Sequence, residues 1–148
     1  MFGLNKKNSA LKERSFSIAG IGTFNYPMQS EERFWFANVD SIGPNKIELS
    51  IRTSNDEEPT QNQVDLIRGL PTEYEYYITL LYAYLEESYP ELSSENFEQI
   101  FPLATIELGA NECEWLFTLE PNFDVPRQYD RFKYFTIIDK AIIRATGV

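Results

Sequence analysis

Between residues 72 and 88, apolar side chains recur at Tyr74, Tyr77, Ile78, Leu81 and Leu85, a spacing of i, i+3, i+4, i+7 and i+11 that puts all five on one stripe of an α-helix. Such a stripe must be buried against another layer. The flanking sequence supplies strands on both sides. In residues 46–53, Ile47, Leu49 and Ile51 alternate with Lys46, Glu48, Ser50 and Arg52, the period-two pattern of a half-buried antiparallel strand. Residues 33–39 are aromatic enough for a second strand, and Gly43-Pro44-Asn45 provides the turn that makes the two a hairpin. Beyond the helix, residues 103–108, 113–119 and 132–138 are rich in strand formers. A tight turn at Asp139-Lys140 pairs the last of them with residues 141–146. A further short strand is expected within 15–23, with Gly20-Ile21-Gly22 as a turn and residues 25–30, around Pro27, as a second turn.

Capping signals divide the helical region. Thr60 with Gln63 has capping-box spacing and opens a short helix ending near Gly69; Thr72 with Glu75 repeats the signature after Pro71 and opens the striped helix. Pro90 stops it, and Ser93 or Ser94 caps a further short helix before Pro102. Residues 122–131 read as a loop. The order of strands, helices and strands predicts an α+β fold: a mostly antiparallel sheet with two or three helices packed on one face. Residues 15–148 form this single domain, behind a polar, basic lead over residues 1–14 that is expected to be mobile. Alternating βαβ units are absent, which argues against a doubly wound nucleotide fold; the two glycines at 20 and 22 are followed by Asn25 and by no helical pattern.

The chain contains no histidine, which removes the commonest general base, every Ser-His-Asp or Cys-His arrangement and imidazole ligation of zinc. Its single cysteine, Cys113, requires no oxidising compartment and is expected to be a small buried hydrophobe. No P-loop and no EF-hand loop occurs. Paired carboxylates are the remaining source of acid–base chemistry. Glu112 and Glu114, read as one strand face opposite Cys113, Trp115, Phe117 and Leu119, are expected to be solvated, as are the diverging Glu86 and Glu87. Catalytic, metal and cofactor residues are therefore assigned to none.

Charge placement is more informative than the net value of −10. Residues 54–120 hold fifteen acidic residues against Arg68, while residues 1–14 hold four cations against Glu13. So negative a segment repels phosphate backbones and anionic headgroups and steers basic proteins, so a basic protein partner is expected rather than nucleic acid or membrane. No run within residues 1–14 has the apolar length of a signal-peptide core, and a cytoplasmic location is expected. Six tyrosines (74, 76, 77, 82, 84 and 89) crowd the striped helix and its exit, more than one stripe holds; Tyr74 and Tyr77 belong to the core face, whereas Tyr76 and Tyr84 project elsewhere. Aromatic anchors ringed by acids are the chemistry of a protein-binding surface. The candidate partner-binding residues are Asp56, Glu57, Glu58, Tyr76, Tyr84, Glu86 and Glu87.

Several of these features together resemble an uncharacterised family of small bacterial domains of unknown function, some of whose relatives are immunity proteins of polymorphic toxins. The features are Phe34-Trp35-Phe36, the strand Ile47 to Ile51, the helix start Pro59-Thr60-x-x-Gln63, the stretch Glu86-Glu87-Ser88-Tyr89 and a closing strand pair ending at Gly147. The resemblance covers residues 33–148. It departs at Phe123-Asp124-Val125-Pro126-Arg127, where the family carries an Asp-x-Glu-His-Gly-like stretch, so no function of that stretch transfers. The resemblance implies a non-enzymatic binding protein, an acidic immunity or inhibitor protein for a basic toxin. The alternatives are a structural or oligomerising domain, favoured if residues 132–138 lie at a sheet edge, and a small carboxylate–tyrosine enzyme.

Overall fold

The computed structural model describes residues 14–27 and 33–148, without the side chains of Ser94 and Glu95. Eight strands form one sheet in strict chain order: β1 (Arg14–Ile18), β2 (Gly22–Tyr26), β3 (Trp35–Val39), β4 (Ile47–Ile51), β5 (Leu103–Leu108), β6 (Glu114–Leu119), β7 (Lys133–Ile138) and β8 (Ala141–Thr146). Neighbours are antiparallel except β4 and β5, which are parallel. The exception has a covalent cause. A hairpin turn reverses the chain, whereas a parallel pair needs a crossover, and α1 (Gln61–Ser88) and α2 (Ser94–Ile100) form it. The molecule is thus α+β with a mostly antiparallel sheet.

The number of helices differs from expectation. Where two were read, on either side of Pro71, there is one 28-residue helix with Pro71 inside it, and α2 is the other described α-helix. An interior proline removes a backbone hydrogen bond and crowds the carbonyl four residues back, at about 3 kcal/mol. The buried stripe crosses the break, with Val64, Ile67 and Leu70 before it and Tyr77, Ile78, Leu81 and Leu85 after it. Each such burial contributes about 1.5–3 kcal/mol, so a continuous face outweighs the proline. Thr72 consequently lies inside the helix and caps nothing, while the Thr60–Gln63 capping box forms as its spacing predicts.

Register divides the sheet into two faces. Ala37, Leu49, Ile106, Phe117, Phe135 and Ala145 align in one row across β3 to β8 and belong to the core. Phe36, Ser50, Glu107, Leu116, Thr136 and Arg144 form the adjacent row on the open face. β2 was read as a turn because Pro27 follows it, yet Phe24 and Tyr26 alternate inward against Thr23 and Asn25. Gly20, at φ 81, turns the chain from β1 into β2. Asp139 and Lys140 both have left-handed φ, the geometry of the tight β7–β8 hairpin turn expected there.

Two side-chain placements are corrected, and the condition that favoured an oligomerising domain is not met. Cys113 is exposed, not buried, because β6 begins only at Glu114 and the preceding residues form a turn in which the Asn111 side-chain oxygen accepts both the Cys113 and Glu114 N–H groups. Glu112 has φ 64 in that turn, so it does not share a strand face with Glu114. Finally, residues 132–138 are not at a sheet edge: β7 lies between β6 and β8, and β8 is the terminal strand. Of the N-terminal lead, Arg14 belongs to β1; the expected mobility of the rest, and part of the expected turn around Pro27, lie outside the described residues.

Candidate interaction surface

Six of the seven candidate residues fall at the two ends of α1, and Tyr76 lies at its middle. Asp56 to Glu58 precede its first residue and Tyr84, Glu86 and Glu87 close it; at 1.5 Å per residue the ends lie about 40 Å apart. They do not make one site.

At the first end, Asp56 is a structural junction. Its carboxylate accepts hydrogen bonds from the Tyr26 hydroxyl and the Arg33 guanidinium, and its backbone carbonyl accepts one from Arg14. Arg14 lies over the rings of Tyr26 and Trp35, at 5.5 and 5.0 Å from their centroids, and the Trp35 indole N–H donates to the Glu57 carbonyl at 2.9 Å. The hydrogen bond from Tyr26, with the charges of Arg33 and Arg14, holds the Asp56 carboxyl below its ordinary value of 3.8. Burial and the same hydrogen bond push the Tyr26 hydroxyl up. Asp56, its side chain 39% exposed, thus joins β1, β2 and the β3 entry to the start of α1, and Glu57 and Glu58 beside it are exposed. Gln63 completes this junction. Nearly fully buried, its amide N–H groups donate to the carbonyls of Arg52 at 2.7 Å and Gly109 at 3.2 Å, and its side-chain oxygen accepts from the Thr60 N–H.

The other half of α1 is built differently. Tyr76 is 48% exposed; its hydroxyl donates to the Lys140 carbonyl at 2.8 Å, and the Lys140 ammonium sits over its ring and pairs with Glu73 at 3.5 Å. Tyr84, 36% exposed, meets Phe135 edge to face at 5.5 Å. The two tyrosines bracket a shallow groove on the surface of α1 that meets the β7–β8 hairpin at its Tyr84 end. One depression, of about 460 Å³, is lined by Glu75, Tyr76, Thr79, Leu80 and Ala83. The next, of about 330 Å³, shares Leu80 and Ala83 and adds Tyr84, Glu87, Lys140, Ala141 and Ile142. Glu86 is exposed beside it. The last turn of α1 holds no basic residue, so Glu86 and Glu87 add negative charge at the end where the helix dipole is already negative.

The inward tyrosines are core groups. Burial, reinforced by Glu98 and Glu75, raises Tyr74 to about 12; burial and Glu73 raise Tyr77 to about 12; Tyr82 is raised further by burial.

Two other concavities occur. On the open sheet face, Arg52, Glu107, Asn111, Glu114, Thr136 and Arg144 surround about 450 Å³, with Arg52 and Glu107 ion-paired. Beyond the start of β5, Lys46, Glu98, Gln99, Glu120 and the loop tip at Phe123 surround about 630 Å³. Neither is lined by a tyrosine, and no group of three or more metal-ligating side chains occurs among the described residues. No described helix is long and apolar enough to cross a membrane.

Residue-by-residue reading missed Lys133, whose side chain is 1% exposed; its ammonium donates to the Gly147 carbonyl at 2.7 Å and faces the rings of Phe101 and Tyr89. Its parity with Phe135 and Ile137 was the available signal. It also missed the contribution of Lys140, Ala141 and Ile142 to the groove, which no local pattern announces. No family model, no curated protein and no solved structure matches this chain.

Proposed function

We propose that this domain is a non-enzymatic protein-interaction module that binds a basic partner through the groove between Tyr76 and Tyr84 and the acidic end of α1. The observation that carries this reading is the pair of exposed tyrosines, Tyr76 and Tyr84, that flank the shallow surface floored by Leu80 and Ala83, with Glu75 and Glu87 on the same surface. Exposed aromatic side chains beside acids are the chemistry of interaction sites. The charge supports the same flank. Glu86 and Glu87 oppose the helix dipole and so disfavour the isolated domain, which is the pattern of residues retained for binding.

The finer form of the proposal is an immunity- or inhibitor-type protein, whose acidic surface covers the basic substrate-binding residues of a toxin. A second reading, self-association, draws on β8 being a terminal strand with Ile143 57% exposed. A register shift between Thr136 and Ile137 and the Arg144 charge blunt that edge, and two copies at −10 repel each other.

The test is affinity capture from lysate of the source cells at low and moderate salt, for the wild type and Tyr84→Asp. The expected result is one stoichiometric basic protein, weakened by salt and lost with Tyr84→Asp. Capture of nothing above background, or of a partner indifferent to Tyr84→Asp, contradicts the proposal.

A further inference from the structure

We propose that the open face of the sheet binds a small zwitterion, a molecule with one carboxylate and one ammonium group, between Glu114 on β6 and Arg144 on β8. This site is separate from the groove along α1 and does not rest on the function proposed above. Its concavity, about 450 Å³, falls within the range of small-molecule pockets, about 300–1,000 Å³. Strand alternation builds it. Trp115 and Phe117 belong to the core, so Glu114 and Leu116 face the other side, and Thr136 stands directly opposite both Leu116 and Arg144. Leu116 supplies an apolar patch of the lining, and Thr136, only 9% exposed, supplies a polar one.

The charges of the lining select the occupant. Four charged side chains surround the concavity, Arg52, Glu107, Glu114 and Arg144, and their charges cancel. Arg52 and Glu107 are ion-paired with each other. Glu114 and Arg144 belong to no ion pair among the described residues, although both line the same concavity. One carboxylate and one guanidinium therefore remain. An anion alone satisfies Arg144 but meets two carboxylates, and a cation alone satisfies Glu114 but meets two guanidiniums. A zwitterion offers each its complement: the guanidinium fork donates to a carboxylate through two N–H groups, and the Glu114 carboxylate accepts from an ammonium. The register leaves room for such a molecule. β6 and β8 are two strand spacings apart, about 9.6 Å, and Glu114 is opposite Ile138, two residues or about 6.8 Å along β7 from Thr136. The two backbone positions thus stand about 12 Å apart on the diagonal. A dipeptide, whose termini lie at most about 7 Å apart, is a zwitterion that fits between them.

The experiment is a titration of the ¹⁵N-labelled full chain with glycyl-leucine, followed by amide chemical shifts. Two blocked forms are titrated beside it: N-acetyl-glycyl-leucine, which lacks the ammonium, and glycyl-leucine amide, which lacks the carboxylate. Glycyl-leucine is expected to shift the amides of Glu114, Leu116, Thr136 and Arg144, and each blocked form to bind at least tenfold more weakly. Arg144→Gln and Glu114→Gln are each expected to lower the affinity for glycyl-leucine at least tenfold. Arg144→Gln is further expected to bind glycyl-leucine and its amide alike, since the group that distinguishes them is gone. Arg68→Gln, which removes a cation from α1, is expected to change the affinity less than twofold. No shift at ten millimolar glycyl-leucine, shifts confined to Leu80 and Ala83 or to the surroundings of Phe123, or equal binding of the three compounds by the wild type overturns the proposal. The partner captured through Tyr84 plays no part in this titration, so the two proposals fail separately.

Discussion

Asp56-Glu57-Glu58 and Glu86-Glu87 are alike in composition and lie at opposite ends of one helix, yet they stand in opposite relation to the fold. Asp56 receives Tyr26, Arg33 and Arg14, and with Gln63 it ties three strands to the start of α1. Glu86 and Glu87 have no cation in their helical turn, and they face solvent beside an apolar groove. An acidic run in a sequence therefore says nothing about whether it stabilises or binds. What decides is whether cations and donors arrive from distant strands, and here they arrive at one end only.

The comparison is sharpened most by Gln63. Gln63→Leu leaves the buried carbonyls of Arg52 and Gly109 without a side-chain donor and removes the acceptor of the Thr60 N–H, and it is expected to cost about 3 kcal/mol in urea unfolding. A cost below about 1 kcal/mol breaks the claim that this end is a junction.

Asp56→Asn comes next. Its carboxyl is held below the ordinary value in the folded state, so the stabilisation is complete above pH 3.8 and is lost as the pH falls through the lower folded value. The melting temperature of the variant is expected to lie below that of the wild type at pH 7, with the gap closing in acid. A gap independent of pH removes the charge from the explanation.

At the other end the sign reverses. The double variant Glu86→Lys/Glu87→Lys places cations against the negative end of the helix dipole and is expected to gain about 0.5–1 kcal/mol in thermal or urea unfolding. A loss instead shows that these acids, too, belong to the fold.

The smallest effect concerns the two sides of the same helical segment. Tyr74 and Tyr77 are raised to about 12 by burial, so a spectrophotometric titration is expected to show two of the nine tyrosines ionising near pH 12 and Tyr82 beyond them. Raised values stabilise the fold below the ordinary tyrosine value of 10.0 and are lost as pH rises toward 12, so alkaline unfolding belongs to that window. Ionisation of all nine near pH 10 contradicts the inward placement of this stripe.

Much of the fold was legible because strand alternation and capping are local. β3, β4 and the β7–β8 hairpin follow from period-two patterning and turn chemistry, and the start of α1 follows from Thr60 and Gln63. The union of two helices into one was not, since Pro71 is a local signal and the stripe that overrides it gains its energy only against the sheet. β2 was obscured because only Phe24 and Tyr26 mark its inward face before Pro27. The candidate surface was half legible. Tyr76 and Tyr84 are off the core stripe as expected, but the hydrogen bonds that Asp56 accepts were not legible, because Tyr26, Arg33 and Arg14 stand 30, 23 and 42 residues away. The second wall of the groove, from Lys140 to Ile142, is equally remote from α1 in sequence.

The central claim is that one end of α1 holds the fold and the other holds the partner. It is tested most directly by the association rate of the captured partner with immobilised wild type, Asp56→Asn and Glu86→Lys/Glu87→Lys, at low salt and below every melting temperature. The account predicts an unchanged rate for Asp56→Asn and a rate lower by about tenfold for the charge-reversed variant, even though that variant is the more stable protein. A reduced rate for Asp56→Asn alongside an unchanged one for Glu86→Lys/Glu87→Lys would place the binding surface at the opposite end of the helix and contradict the account.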